Sequence, residues 1–395
     1  MSNTILTPTA VTREALRVLH QKLNFIGSIN RQYDDQFAKD GAKIGSDLKI
    51  RMPNQYSVRT GAALDAQETT ETSQTLTVAT QKGVDLNFTS TELTLSLQDF
   101  SDRILEPAMS VLAANIEYDA MTMYKDVYNS VWNSAAAQTY ALLLDGRVKL
   151  QNGLAPLSQR TANMSPIPMA DLIKDTKTLF QDQAQIAKQY KEGFMGRAAG
   201  FDFMENTLWP GHTRGASASN VCNTSTGITS GSASITVSGG SGAANVGDVF
   251  TIVGVNSVHP ETKVDTGIQQ QFVLTAAALT GATAFVVSPT PVTSGPTQNV
   301  VINSAGASKT VAFGGTASDA LDTSLLYNKD AFTFVTADLV KPSGVDFAAR
   351  EVMDGISIRI VRDYDINSDK FPCRLDVLYG YKTLRPQWAC RLHNN

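Results

Sequence analysis

The sequence predicts an α+β protein whose mixed domain is interrupted by an all-β insertion. Three observations carry that prediction. Apolar residues recur at helical spacing over 107–133. Apolar and polar residues alternate over 44–60 and again beyond residue 330, the pattern of half-buried strands. Between about 216 and 317 the chain turns to Gly, Ser, Thr, Ala and Val with almost no charge, in short β-branched runs separated by turn residues.

An amphipathic helix is expected over 7–26. Thr7 is placed to cap it, Pro8 suits the first helical position, and Val11, Ala15, Val18, Leu19, Leu23 and Ile26 share one face. That stripe must cover something, on its own domain or on a neighbouring chain. In 44–60, Leu48, Ile50 and Met52 alternate with Lys49 and Arg51. Residues 61–74, GAALDAQETTETSQ, are polar and aperiodic, and alternation resumes with Leu76, Val78, Val84, Leu86 and Phe88. Two antiparallel strands with a long polar tip follow from this. The tip is either an arm stabilised by packing on another subunit or a mobile surface loop.

Thr89 and Glu92 have capping-box spacing ahead of the next helix. Beyond Pro107, the residues Ala108, Leu112, Ile116, Ala120, Met123, Val127 and Val131 form one apolar stripe of a long helix. A further helix is expected over 168–192, with Leu172, Ile173, Thr176, Leu179, Phe180 and Ile186 on its inner face. In the block at 216–317 the strand candidates are SITV, DVFTIVGV, QQQFVLT, AFVVSPTPV and NVVINSA, which suit a small sandwich or barrel. Strands of the parent sheet follow at 331–340, 356–365 and 373–386.

Composition and motifs exclude much. Lys and Arg total 33 against 37 Asp and Glu, a net charge of -4, without the basic excess of a nucleic-acid reader. No stretch is long and apolar enough to cross a bilayer, and the N-terminus lacks a secretory pattern. Gly240-Ser241-Gly242-Ala243-Ala244-Asn245 lacks the third glycine of a dinucleotide fingerprint, and a strand rather than a helix follows it, so it reads as a Gly/Ser loop between strands. Cys222, Cys373 and Cys390, with His20, His212, His259 and His393, show no zinc spacing and suit free thiols in a reducing compartment. Asp363, Asp365 and Asp369 lack the Gly and Glu of a calcium loop and read as a solvated turn. No P-loop, nucleophile elbow or paired catalytic carboxylates emerge.

The order of elements resembles the major capsid (coat) proteins of tailed bacteriophages, in particular those of short-tailed enterobacterial phages with an inserted β-barrel. Four stretches carry the resemblance: ILEPAMSVLAANIEYDAMTMY at 104–124, YKEGFMGRAAGFDFMENTLWP at 190–210, VGDVFTIVGVNSVHPETK at 246–263 and CRLDVLYGYKTLRPQ at 373–387. The insertion is shorter and richer in Gly, Ser and Ala than the family's, and the last strand ends sooner.

The resemblance implies the tailed-phage capsid fold: an N-terminal arm at 1–43, an extended loop at 44–88, a peripheral domain with a spine helix at 89–149, an axial domain from 150–215 and 318–395, and the inserted β domain at 216–317. It implies a chain that self-assembles into pentamers and hexamers of an icosahedral shell around double-stranded DNA, which it does not read by sequence. A separate scaffolding protein and a portal are implied as partners, with assembly in the host bacterial cytoplasm and a final place in the virion. No enzyme activity, cofactor, metal or membrane is expected. Arg51, Arg59, Asp65, Glu68 and Glu71, on the long hairpin, are the candidate inter-subunit contacts, with a solvated charged loop as the competing reading of each. Two rival functions remain. One is a β-rich binding module of the virion, an adhesin or tail component, which exposed aromatics in the insertion would favour. The other is an enzyme, which a pocket of converging titratable groups would favour.

Overall fold

The computed structural model describes residues 12–15, 17, 23–32, 47–59, 61–62, 64, 66, 71–89, 106–133, 137–176, 196–353, 356–366 and 370–394. The chain forms two compact units, each woven from separate stretches. One takes Met1–Ile50, Ser73–Met121 and Phe332–Lys382; the other takes Arg51–Thr72, Thr122–Ala331 and Thr383–Asn395.

The first unit is built on a five-stranded sheet in which Lys370–Thr383 is central. It pairs antiparallel with Thr80–Thr89, from Lys370 opposite Thr89 to Tyr379 opposite Thr80, and on its other side with Ile356–Arg362. Strand Phe347–Met353 continues the sheet beyond Ile356–Arg362, and Phe332–Ala337 joins at the opposite end. The apolar positions that predicted these strands lie in the core: Ile356, Ile358, Ile360, Leu375, Val377 and Tyr379 are all buried, and Ser357 and Asp376 between them are buried as well. Helix Glu106–Met121 buries Ala108, Met109, Leu112, Ala113, Ile116, Ala120 and Met121, with Pro107 in its first turn, where no helical hydrogen bond is lost.

Two helix predictions need correction. The stripe over 107–133 does not run its full length as a helix: the α-helix ends at Met121, Thr122–Asp126 tightens into a 3-10 turn, and Ser130–Asn133 is a strand. That strand pairs in parallel with Ala389–Asn394, so a partner at the far end of the chain overrides the local period. At the N-terminus, residues 12–15 and 17 are helical but the helix does not reach Ile26, because Leu23 and Asn24 leave it before a short turn at Phe25–Ser28. The backbone N–H groups of Asn24 and Phe25 are drawn instead to the buried carboxylate of Glu117, each at 2.8 Å. Thr7, Pro8, Val11, Val18, Leu19, His20 and Glu92 lie outside the described residues.

In the hairpin, the strand expected over 44–60 is described as Asp47–Arg51 and stops short of Pro53, which cannot donate to a ladder; residues 44–46 lie outside the described residues. Its partner is Ser73–Thr77, and Met52 N donates to Thr72 O at 2.8 Å just beyond the paired stretch.

The second unit holds two sheets. In the parent sheet the strands run in the order Ser130–Asn133, Ala389–Asn394, Ala320–Asn328, Arg160–Met164, Phe201–Glu205, Arg197–Ala198, with His212–Thr213 also pairing Ala320–Asn328. The short C-terminal end is therefore an inner strand. Its Cys390 and Leu392 join Leu143 and Leu150 of helix Tyr140–Asn152, Leu172 of helix Pro166–Thr176, and Phe201, Phe203 and Leu326 in one core. The helix expected over 168–192 is present as Pro166–Thr176; Leu179, Phe180 and Ile186 fall outside the described residues.

The strands of the insertion pair with one another, in the order Ser234–Thr236, Ala284–Ser288, Asp265–Leu274, Val249–Val258, Lys309–Phe313, Val221–Cys222, with Val300–Ile302 also on Val249–Val258. Phe250 is at its centre, 1% exposed, with ring centroids of Phe272, Phe285 and Phe313 at 5.8, 5.5 and 5.4 Å. The glycines near 240 serve this packing. The chain at 238–241 runs against Ala218 and Val221, and a Cβ on Gly242, at φ +75°, would meet Ala216 O at 2.5 Å.

Truncating Phe250 to Ala is expected to destabilise the insertion by about 3–5 kcal/mol, through lost transfer energy and the cavity left behind. Chemical denaturation of the full chain, followed by circular dichroism, measures it.

Candidate assembly surface and the base of the insertion

The hairpin carries three of its five predicted contact residues in the described chain. Arg51 Nη1 and Glu71 Oε2 are 3.4 Å apart across the base of the loop, with side chains 80% and 57% exposed. Arg59 donates from Nη1 to the carbonyl of Gly61, which has φ +100°. Asp65 and Glu68 lie outside the described residues. The structure thus brings Arg51 and Glu71 together and leaves Arg59 on its own turn. Sequence reasoning passed over the apolar members of this loop. Tyr56, Val58 and Leu64 are 57%, 94% and 87% exposed, in a segment otherwise polar.

Helix Glu106–Met121 has an outer face of similar character. Val111 and Tyr118 are exposed, about two helical turns apart on one face, and Asn115 between them turns its Nδ2 back to Val111 O at 3.0 Å. No Lys or Arg occurs in the helix, although basic residues are common on a solvated helix face. One charge of this helix is fully buried, Glu117, which fastens the segment around Phe25 by the two backbone bonds described above. That segment continues to Asn30, whose N–H and C=O bond Phe332 O and Phe334 N at 3.2 and 3.0 Å.

Several deeply buried polar groups of the second unit meet where the insertion joins the parent sheet. Asp248, 1% exposed, accepts from Gly215 N at 3.0 Å and Asn245 N at 2.8 Å, and its Oδ1 is 3.0 Å from Nε2 of His212. With Nε2–H donating to the carboxylate, Nδ1 of His212 accepts from Tyr124 Oη at 3.3 Å. The Arg391 guanidinium lies over the Tyr124 ring, 5.8 Å from its centroid, and its three nitrogens find no hydrogen-bond acceptor among the described residues. His393 shares its face of the strand, bonded to Thr323 Oγ1 at 3.2 Å and stacked on Trp132 at 4.1 Å. Trp132 also lies against the chain leaving the insertion, where a Cβ on Gly314 would fall 2.1 Å from the indole nitrogen.

Two further ties close the base. Arg214 donates to Gly315 O and Ser217 O at 3.1 and 2.7 Å, gripping both ends of the insertion. Gln271 uses its amide as a strand mimic, accepting from Ser130 N at 3.0 Å and donating to Ser130 O at 2.8 Å.

Burial sets the electrostatics here. Desolvation holds the His212 imidazole below the ordinary histidine range; its bond to Asp248 opposes this and the charge of Arg391 adds to it. His393 is held well below that range, again by burial first and by Arg391 second. Burial also lowers Arg391, to about 10, which leaves it charged at neutral pH. The sequence offered little warning of this cluster. Its only local trace is the alternation of Arg391 and His393 with Cys390 and Leu392. Among the described residues no three His, Cys, Asp or Glu side chains are grouped as metal ligands; Asp365 pairs through its backbone with Lys370, and Asp369 lies outside the described residues.

A family model described as P22 coat protein, gene protein 5, matches residues 31–391. Among solved structures, one from Mycobacterium phage Che8 aligns with a TM-score of 0.50 at 11% identity, covering 94% of this chain and 90% of that one. The capsid of the cyanophage P-SCSP1u aligns with a TM-score of 0.45 at 12% identity, covering 88% and 83%. The asymmetric unit of the bacteriophage PhiM1 mature capsid aligns at 0.44 and 11%, covering 89% and 82%. At such identities the likeness is one of fold. No curated protein matches the chain by sequence at a significant level.

Because the Arg51–Glu71 pair is largely solvated, replacing Glu71 with Lys is expected to change the stability of the isolated chain by less than about 0.5 kcal/mol. Thermal denaturation of the two proteins side by side checks this.

Proposed function

The chain belongs to the P22 coat protein family and is a major capsid protein of a phage shell, and from that premise we propose that its copies join by laying the exposed loop within Arg51–Thr72 over a neighbouring copy. Val58 carries the reading: an aliphatic side chain 94% exposed, with Tyr56 two residues away, gains only if a partner covers it. The outer face of helix Glu106–Met121, with Val111 and Tyr118 exposed and no basic residue, is the surface we assign to receive it. Arg51, Arg59, Asp65, Glu68 and Glu71 then surround the apolar contact and set its register. Contacts between unlike patches, repeated by rotation, close rings, and rings close a shell.

In this reading residues 1–43 form the N-terminal arm, 44–88 the extended loop, 89–149 the peripheral domain, and 150–215 with 318–395 the axial domain. Residues 216–317 form the inserted domain, a boundary supported by strands that pair among themselves. A separate scaffolding protein and a portal take part in assembly in the host cytoplasm, and the shell encloses double-stranded DNA without reading it. The net charge of -4 supports enclosure rather than grip. The chain acts by association, with no catalytic step or cofactor. The binding-module alternative loses its main support, since Phe250, Phe272 and Phe285 of the insertion are all core residues.

Introducing Asp at both Tyr56 and Val58 is expected to abolish closed particles in negative-stain electron microscopy of the co-expressed assembly. Circular dichroism and the melting temperature of the unassembled chain should stay as in the parent. Normal particle yield from this double variant would overturn the assignment of the loop.

A further inference from the structure

We propose that the cluster of His212, Asp248, Arg391 and His393 is an acid-sensitive latch: protonation of its imidazoles releases the insertion from the parent sheet while the insertion keeps its own fold. The inference goes beyond shell assembly and rests on how charge is distributed in this one unit.

The charge count comes first. Within the cluster the carboxylate of Asp248 offsets the guanidinium of Arg391, and both side chains are buried. The neighbouring 3-10 turn Thr122–Asp126 adds Lys125 and Asp126, again one of each sign, and Tyr124. From the strand after His212 comes Arg214, near enough for Asp248 to act on its charge, and spent on two backbone carbonyls. Thr323 and Trp132, on the strands flanking His393, are neutral. With both imidazoles neutral, Arg391, Lys125 and Arg214 already outnumber Asp248 and the exposed Asp126 by one positive charge. Each proton added to His212 or His393 is an unbalanced buried charge, and the two rings are 5.8 Å apart.

Geometry adds to this. Nδ1 of His212 accepts from the Tyr124 hydroxyl, and a proton there reverses that bond, leaving the hydroxyl hydrogen only the long contact with Gly211 O at 3.4 Å. His393 has one ring nitrogen bonded to Thr323 and the other without a partner among the described residues, so an imidazolium gains no acceptor.

The sign follows from linkage. Both imidazoles are held below 6.5 in the folded chain, so the opened state binds more protons as pH falls. The closed latch has its full stability above about pH 6.5 and loses it progressively below that. The core of the insertion does not share the sensitivity. Its buried cluster is made of Ile, Val, Ala, Leu and Phe with Cys222, whose thiol burial pushes up to about 11, and nothing in it titrates in acid. Acid therefore acts on the attachment and spares the attached fold.

The test is hydrogen–deuterium exchange on the full chain at about pH 7.5 and about pH 5, with rates normalised to the intrinsic rate at each pH. The amides of Gly215 and Asn245, which donate to Asp248, report the latch; strand Ala284–Ser288 reports the insertion core. We expect latch protection to fall by roughly tenfold or more at the lower pH while the core strand stays protected. In His212→Gln/His393→Gln, which cannot take up the protons, the pH-dependent loss should shrink to less than about threefold. If that variant folds poorly at neutral pH, His393→Gln alone should move the midpoint of opening to lower pH. Unchanged protection in the parent chain, an identical pH response in the variants, or loss of the core strand together with the latch would each overturn the proposal.

Discussion

The second unit hangs on a buried carboxylate. Asp248 lies in the insertion, yet of its three donors, His212 Nε2 and Gly215 N belong to the chain entering it and Asn245 N to the turn beside it. A peptide inserted into a sheet domain is attached by two backbone crossings, which by themselves leave its orientation free. Asp248 removes that freedom on the incoming side, and Arg214 ties the incoming chain to the outgoing chain at Gly315. An apolar contact would bury area as effectively but would tolerate rotation and slip. Hydrogen bonds of fixed geometry to a charge that cannot be left unpaired do not.

That choice has a cost, which explains the unusual composition of the surroundings. Taking a carboxylate and a guanidinium out of water is costly; donors meet the Asp248 carboxylate, whereas the Arg391 nitrogens find no acceptor among the described residues and the guanidinium is met by an aromatic face. Hence the aromatic ring of Tyr124 under Arg391, and the bare glycine backbone against Trp132, which lets the indole close over His393. The insertion core is the opposite case. Its Phe250, Phe272 and Phe285 need no charge and no specific neighbour outside the insertion. An attachment that is polar and exacting, beside a core that is apolar and self-sufficient, is what allows one part of a chain to be fixed or freed without unfolding the other.

How much of this could be read from the sequence varies with the range of the interaction. Strands within the insertion were legible, because Val249–Val258 and its neighbours carry their burial pattern locally and pair with strands close in the chain. The end of the long helix was not. Val127 and Val131 continue its apolar spacing, but a parallel partner near residue 391 decides that Ser130–Asn133 is a strand. The C-terminal strand was missed for the same reason, since six residues ending the chain carry no sign of two neighbours waiting on either side. The candidate site divides likewise. The hairpin charges were visible as charges, but not that Arg51 meets Glu71 while Arg59 turns to Gly61. Four histidines scattered over the sequence argued against a metal, and that argument was silent on two of them packing 5.8 Å apart across a fold boundary.

The same contrast separates what a shell subunit must hold from what it must offer. Glu117 and Asp248 each spend a buried carboxylate on backbone N–H groups, so the segments they fasten are fixed by geometry rather than by area. Val58, Leu64 and Val111 do the reverse, leaving area uncovered and geometry open. On the proposal that one chain builds rings of five and of six, it cannot fix every neighbour's position in advance. Non-directional burial tolerates small changes of angle between copies, whereas a buried charge network tolerates almost none. Directional bonds inside the subunit and non-directional surface between subunits are therefore complementary: the first keeps the building block one shape, and the second lets one shape meet its copies at more than one angle.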